Sequence, residues 1–256
     1  MQADASGVFA GRELEGRVAL VTGAARNIGR AIALGLGRGG ASVLVAAHAS
    51  RDAAEETAAL VRADGGAAEV ALADVADPAG AQALVDAALR AFGRLDILVC
   101  NAAARSDGAI ESITPQEWRR ITSSILDGTF FCAQAAGPHL RASGQGALVT
   151  LGGVAAHVGL SGRAHVSAAK AGVLGLTRAL AREWAPHVTA NCVSPGYVAT
   201  ARAGEVPAHF RERAPLAGRP GAPEEIAAAV RYLAGPAARF VTGQTLHLNG
   251  GWHMGA

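Results

Sequence analysis

The sequence predicts an α/β fold in which a parallel sheet is covered by helices on both faces. Short apolar runs without polar alternation recur along the chain, which is typical of strands buried on both faces. The stretches between them are rich in alanine and long enough for the crossover helices that parallel strands require. The runs are VALVT (18–22), SVLVAA (42–47), AEVALA (68–73), LDILVC (95–100), GALVTL (146–151), VTANCV (188–193) and TLHLN (245–249).

The composition indicates an ordinary compact protein. Of 256 residues, 50% are hydrophobic and 17% are charged, which suffices for one sizeable core. A net charge of +2 without a clustered basic run argues against a nucleic-acid partner. No apolar run has the length of a membrane span, and residues 1–16 lack the pattern of a signal peptide. The three cysteines have no CxxC spacing, so we expect buried thiols, a cytoplasmic location and no metal site.

The chain shows no internal repeat and no composition break that would mark a second domain. We therefore expect a flexible N-terminal tail over residues 1–13 and a single domain over residues 14–256. Residues 199–219 are interrupted by glycine and proline. This segment is compatible with a lid over a cleft and equally with an ordinary surface loop.

A glycine-rich turn, TGAARNIGRAIALGLG (22–37), follows the first apolar run and leads into a helical stretch. The backbone N–H groups at such a helix start can hold a pyrophosphate. Gly23 permits a tight turn and Gly29 permits close packing, while Asn27 occupies the middle position, where it tolerates a left-handed φ. The alternative is a strand–helix turn that binds no ligand.

This turn and four later segments, in order and spacing, resemble the short-chain dehydrogenase/reductase family over about residues 14–252. The resemblance implies a Rossmann-type, doubly wound, seven-stranded parallel sheet with helices on both faces. It also implies a small-molecule substrate and a homo-oligomer, often a tetramer. The four segments are Asp74-Val75, Asn101-Ala102-Ala103, Ser194-Pro195-Gly196-Tyr197 and Thr242-Gly243-Gln244 before Asn249-Gly250-Gly251.

The end of the second run favours NADP(H) as cofactor, with NAD as the alternative. Ala47 stands where NAD-binding folds usually carry an acidic residue for the ribose 2′-hydroxyl. Arg26 and Arg51 are close enough in the chain to meet a 2′-phosphate instead. The resemblance places Asp74 at the adenine, Asn101 along the cofactor, and Val198 with Thr200 at the nicotinamide amide. The full expected set of cofactor residues is Gly23, Arg26, Asn27, Ile28, Gly29, His48, Ser50, Arg51, Asp74, Val75, Asn101, Ala102, Lys170, Pro195, Gly196, Val198 and Thr200.

The resembled family uses a proton relay of Ser, Tyr, Lys and Asn, and three of these four residues are missing here. Alignment with the family pattern puts Val166 at the tyrosine, Gly153 at the serine and Ile125 at the asparagine. None of these side chains can donate a proton. Lys170 falls on the family's lysine position and is the only lysine among 23 cationic side chains, which favours a retained cofactor site and a catalytic role for Lys170.

Three other residues are candidate replacement donors. His157 follows the fifth run, and the ordinary pKa of histidine suits an acid–base group, although the alternative of a loop histidine is favoured. His165 should point away from the cleft if its neighbour Val166 faces it. Tyr197 lies by the expected nicotinamide end, where a packing role is the alternative.

The predicted function is that of an NADP(H)-dependent oxidoreductase with a non-standard active site. It would act on a C=N or an activated C=C bond, or use another proton donor. The alternatives are an inactive NADP-binding protein and a non-redox lyase, cyclase or isomerase on the same fold.

Overall fold

The computed structural model describes residues 11–200 and 215–255, and within them seven strands form one parallel sheet. The strand order is β3-β2-β1-β4-β5-β6-β7, with the chain winding outward in both directions from β1 and β4. The strands are β1 (Val18–Thr22), β2 (Ser42–Ala47), β3 (Ala68–Leu72), β4 (Ile97–Cys100), β5 (Gly146–Leu151), β6 (Val188–Pro195) and β7 (Thr245–Leu248).

Eight α-helices connect these strands within the described ranges. They are α1 (Asn27–Arg38), α2 (Arg51–Ala63), α3 (Pro78–Phe92), α4 (Pro115–Thr122), α5 (Gly128–Ala142), α6 (Ala155–Val158), α7 (Ala164–Glu183) and α8 (Pro223–Ala234). A π-helical turn (Ser123–Asp127) joins α4 to α5, and 3₁₀ turns cover Ile110–Ser112 and Pro236–Ala238. The expected Rossmann-type doubly wound sheet with helices on both faces is confirmed.

Alternate residues of each strand feed a separate core on each side of the sheet. Ala19 and Val21 of β1 belong to the cluster that packs under α1, α2 and α8. Val18 and Leu20 belong to the cluster under α3, α5 and α7. Because both faces of the sheet are covered, its strands contain apolar residues at consecutive positions.

The expected tail, residues 1–13, lies mostly outside the described residues. Its last residues are held by α8: the guanidinium of Arg231 donates to the Glu13 carboxylate at 2.5 and 2.7 Å and to the Gly11 carbonyl at 2.7 Å. Arg231 is only 5% exposed, so this contact joins the first described residues to the core.

The structure bears only in part on two further expectations, the lid or loop at 199–219 and the absence of a membrane span. Most of the expected lid or loop at 199–219 falls outside the described residues. Among the helices that are described, none has both the length and the apolar character needed to cross a membrane.

Candidate active site

The turn between β1 and α1 has the backbone shape of a phosphate-binding loop. Gly23 has φ +63°, and Asn27, with φ +53°, is the one non-glycine residue of the described chain with a positive φ. No side chain caps the start of α1 and its first turn contains no acidic residue, so its first N–H groups remain available to an anion.

Two glycines of this turn are required by close backbone packing. A Cβ atom added to Gly29 would lie 2.1 Å from the carbonyl oxygen of Gly23 and 2.6 Å from the Asn101 side-chain nitrogen. A Cβ atom added to Gly23 would lie 2.9 Å from the Cα of Ala102. Real Cβ atoms do not approach so closely, and therefore the loop keeps its shape only with glycine at both positions.

Hydrogen bonds fix this loop to the end of β4. The Asn101 side-chain amide donates to the carbonyls of Thr22 and Gly23, each at 3.0 Å. The Thr22 hydroxyl accepts from the backbone N–H groups of Asn101 and Ala102 at 3.0 and 3.1 Å. Asn101 therefore holds the glycine turn in place, in addition to lining the cleft described below.

The end of β2 carries no carboxylate. Ala47 is buried there, and the exposed His48 follows it, with its Nε2 atom 3.9 Å from a carboxylate oxygen of Asp74. Arg51, at the start of α2, is exposed and lies 3.8 Å from Glu55. Arg26 is exposed as well. The last position of β2 therefore carries no acidic side chain, and the carboxylates nearby, Asp74 and Glu55, lie opposite His48 and Arg51.

An open cleft lies at the carboxyl ends of the central strands, where the sheet changes its winding direction. Seven of the expected cofactor residues line it: Ile28, Asn101, Lys170, Pro195, Gly196, Val198 and Thr200. The others do not line the cleft; they belong to the glycine turn, to the β2 and β3 ends or to the segment after β4, and are Gly23, Arg26, Asn27, Gly29, His48, Ser50, Arg51, Asp74, Val75 and Ala102.

Sequence reasoning missed two arginines of the cleft. Arg105 lies four residues after Asn101, and Arg163 lies three residues before Val166. The Arg163 guanidinium pairs with Asp107, so that contact joins the segment after β4 to the start of α7. In the sequence, only their closeness to Asn101 and Val166 indicates that these two arginines could line the cleft.

Lys170 is half-buried and lines the cleft. Its Nζ atom donates a hydrogen bond to the carbonyl oxygen of Leu151 at the end of β5. Burial lowers the pKa of Lys170 to about 8, since a desolvated ammonium is less stable than the neutral amine. The bond to Leu151 fixes where the ammonium group is presented in the cleft.

The three residues that replace the expected relay provide no proton donor. Val166 lines the cleft and packs on a small core cluster that includes Ile125, which is only 1% exposed. Ile125 therefore lies under the cleft wall and does not line the cleft itself. Gly153 lines the cleft with φ +156°, and a Cβ atom there would have no neighbour closer than 4.0 Å.

The two candidate histidines lie away from the cleft lining. His165 is 1% exposed and its Nε2 atom is 2.8 Å from the hydroxyl of Ser106, while its neighbour Val166 faces the cleft. His157 instead lies against His247 and His253, with ring centroids 4.5 and 4.9 Å away. Burial, followed by the charges of these histidines and Arg178, lowers the pKa of His157 to about 4. His157 is therefore neutral near pH 7 and has no acidic proton to donate to a substrate.

Comparison with known proteins places the chain in a family. A family model described as enoyl-(acyl carrier protein) reductase matches residues 23–253. The 3-oxoacyl-[acyl-carrier-protein] reductase FabG of Staphylococcus aureus is 39% identical over 241 residues, covering 92% of this chain and 98% of that protein. The short-chain reductase protein NovJ of Streptomyces niveus is 37% identical over 245 residues, covering 91% and 93%.

Solved structures agree with this placement. A dehydrogenase/reductase from Sinorhizobium meliloti 1021 is similar with a TM-score of 0.90 and 32% identity, covering 95% of this chain and 97% of that one. A short-chain dehydrogenase/reductase variant from Serratia marcescens gives a TM-score of 0.88 and 37% identity, covering 94% and 99%. With its parallel sheet, glycine turn and Lys170, the chain belongs to the short-chain dehydrogenase/reductase family of oxidoreductases.

Proposed function

We propose that this protein is an NADP(H)-dependent oxidoreductase that acts on a C=N bond or an activated C=C bond. One observation carries the proposal: the same cleft is lined by expected cofactor residues, Lys170 among them, and by Gly153 and Val166, which offer no proton donor. Family membership indicates an oxidoreductase, and the side chains of this cleft limit the range of substrates that we expect.

The residues present fit a nicotinamide dinucleotide. The turn around Gly23 and Gly29 would hold the pyrophosphate, because its backbone approaches more closely than any Cβ atom would allow. Lys170 would donate to the hydroxyls of the nicotinamide ribose, and Val198 and Thr200 would flank the nicotinamide amide. The cofactor, when bound, would exchange a hydride with the substrate.

The charges at the β2 edge favour NADP(H) over NAD(H). The last residue of β2 is the uncharged Ala47, and the exposed Arg26 and Arg51, just before α1 and at the start of α2, would pair with a 2′-phosphate at this edge. Guanidinium groups bind phosphate through charge-assisted hydrogen bonds, whereas a carboxylate at this position would repel it.

The missing donor favours substrates that do not need one. Reduction of a ketone requires a proton on the forming alkoxide, and a positioned general acid typically contributes about 10²–10⁴-fold. An iminium ion already carries its proton, and the enolate formed from an activated C=C bond can be protonated by water. Val166 gives the cleft an apolar wall, and Gly153 leaves room for a larger substrate, since a Cβ atom there would have no neighbour closer than 4.0 Å.

The relatives bear on the choice between a C=C bond and a carbonyl group. The matched family model is described by the reduction of enoyl groups, whereas the FabG relatives are named for reduction of 3-oxoacyl groups. The side chains at positions 153 and 166 favour the first of these reactions, because carbonyl reduction depends more on the missing acid.

The first experiment is a fluorescence titration with NADPH and NADH. We expect tighter binding of NADPH, and we expect the double variant Arg26→Ala, Arg51→Ala to lose about tenfold or more in NADPH affinity with little change for NADH. The matched control is Arg38→Ala, which removes an exposed arginine at the C-terminal end of α1 that pairs with Asp64. Absence of binding of either cofactor would refute the proposal.

The second experiment is a substrate panel of cyclic iminium ions, enones and ketones of similar size, followed by NADPH consumption. We expect the first two classes to be turned over at least about 10²-fold faster than the ketones. NADPH binding with no consumption on any substrate would contradict the proposed reaction and support a binding protein. Ketone reduction as fast as iminium reduction would show that another donor has replaced the tyrosine.

A further inference from the structure

Three histidines that are distant in the sequence meet beside the cleft. His157 is in α6, His247 is in β7, and His253 follows the turn after β7. Each offers a ring nitrogen, and the three nitrogens all lie within 4.8 Å of one another. Among the described residues, this is the one group of three or more His, Cys, Asp or Glu side chains that converge in this way.

Backbone contacts hold each of the three residues in place. His247 pairs with Ser194 across the β6–β7 ladder, and the N–H of His157 donates to the carbonyl of Val154 at 3.0 Å. The side-chain amide of the buried Asn249 donates to the carbonyl of His253 at 2.9 Å. The cluster is therefore built by a strand, a helical turn and a fixed C-terminal turn.

The spacing of the rings is close to that of a three-histidine metal centre. With zinc–nitrogen bonds of about 2.0–2.1 Å in a tetrahedral arrangement, ligand nitrogens lie roughly 3.3 Å apart and ring centroids roughly 5 Å apart. The observed centroid separations are 4.5, 4.9 and 5.1 Å. The centroids already have the required separation, so the nitrogens need to converge by no more than about 1.5 Å, through rotation of the rings.

Two ring nitrogens of the cluster lack the partners that buried polar atoms normally have. Nε2 of His157 and Nδ1 of His247 are shielded from solvent and have no hydrogen-bond partner. A buried polar atom without a partner is costly, and such atoms at native sites call for an explanation. A metal ion bound by the cluster would provide one.

The kind of ligand also favours a transition metal. The cluster offers three imidazole nitrogens and, among the described residues, includes no carboxylate. A neutral three-imidazole set selects zinc, cobalt or nickel over magnesium or calcium.

We infer that His157, His247 and His253 form a binding site for one divalent transition-metal ion per chain, with zinc as the preferred ion. Three protein ligands leave a fourth position for water or another small ligand. The site links α6, which begins two residues after the cleft-lining Gly153, to the C-terminal turn. Its existence does not depend on the redox activity proposed above.

The test uses the full chain produced without a polyhistidine tag and stripped of metal with a chelator. Zinc content is measured after dialysis, and Co²⁺ is titrated while the visible d–d absorption of a tetrahedral centre is recorded. We expect one ion per chain, the Co²⁺ bands displaced by Zn²⁺, and a rise in melting temperature on adding Zn²⁺.

The variants are His157→Ala and His247→Ala, with His187→Ala as the matched control because His187 is exposed and outside the cluster. Removing a ligand should lower Zn²⁺ affinity at least about 100-fold, since even outer-shell changes cost 10–100-fold. Circular dichroism and NADPH titration on the same samples report whether each variant is folded.

Three results would overturn the inference. They are absence of stoichiometric metal in the wild-type protein, equal metal binding by folded His157→Ala, and one ion per two chains, which would place the site between copies. If the wild-type protein binds the metal ion but turns over no NADPH, the proposed reaction is contradicted and the metal site is not.

Discussion

The close packing of the glycine turn can be tested by making the same Gly→Ala substitution at two helical positions. We expect it to lower stability at one position and to raise it at the other. Gly29→Ala places a methyl group 2.1 Å from the Gly23 carbonyl and 2.6 Å from the Asn101 amide. Gly175→Ala, in the exposed middle of α7, places the same methyl group where nothing lies within 4 Å.

The magnitudes follow from these contacts. Gly→Ala in an open helical position raises the free energy of unfolding by about 0.5–1 kcal/mol, through the conformational entropy of glycine. At Gly29 the same gain is opposed by overpacking of about 1–3 kcal/mol, at the upper end because the obstacle is backbone. We therefore expect Gly29→Ala to lose roughly 2 kcal/mol and Gly175→Ala to gain up to roughly 1 kcal/mol.

Cofactor affinity should separate the two variants as well. Relieving the contact at Gly29 requires the loop to move by about 1 Å, which misplaces its N–H groups, and each 1.4 kcal/mol lost is about tenfold in affinity. Urea unfolding followed by circular dichroism gives the stabilities, and NADPH fluorescence gives the affinities. If Gly29→Ala unfolds like the wild type and binds NADPH equally well, the loop is not a close-packed phosphate site.

Three further predictions concern the relay, the lysine and the N-terminal contact. The double variant Gly153→Ser, Val166→Tyr should gain ketone reduction by at least about 10²-fold over the wild type, measured as NADPH consumption, although φ +156° at residue 153 requires a local backbone change. Lys170→Met should abolish NADPH binding. It should also raise the free energy of unfolding of the cofactor-free protein by roughly 0.5–2 kcal/mol in urea near pH 7, because burial disfavours the ammonium, whose pKa is about 8. In the wild type this cost shrinks as pH rises from 8 toward the pKa of the unfolded state, so the stabilities of the two proteins should converge in alkali. Glu13→Gln should cost roughly 1–3 kcal/mol at pH 7 through the lost contact with Arg231. Since the folded pKa of Glu13 is lowered, the difference from wild type should begin to shrink as pH falls below the unfolded pKa of about 4.3 and vanish as pH falls through the lower folded pKa; a constant difference across pH would refute the ion-pair assignment.

The sheet followed from the sequence because a strand buried on both faces needs an uninterrupted apolar run. The bounds of β1, β2 and β5 coincide with the runs at 18–22, 42–47 and 146–151. Strand β4 starts two residues later than its run, at Ile97, since the carboxylate of Asp96 accepts from the Val18 N–H at 2.9 Å and binds Arg94. Strand β6 extends to Pro195 because the facing β7 continues the ladder to Leu248.

The parts of the site that were not predictable depend on contacts between distant segments. Ile125 could not be assigned to the core from its spacing, because a π-helical turn breaks the helical period between α4 and α5. His157 and His247 lie 90 positions apart in the chain, and only the ordering of β5, β6 and β7 brings them together. Cofactor preference and oligomeric state, read from charge and resemblance, remain predictions.

The single lysine of the chain has a practical consequence for chemical labelling. A protein with one ε-amine, whose pKa of about 8 keeps much of it unprotonated under mildly alkaline conditions, offers acylating and reductive-alkylating reagents one side-chain target. Because Lys170 lines the cleft, the reactivity of its amine reports whether a ligand covers that part of the cleft. Peptide mass mapping of the modified protein would thus serve as a footprint of ligand occupancy without any engineered label.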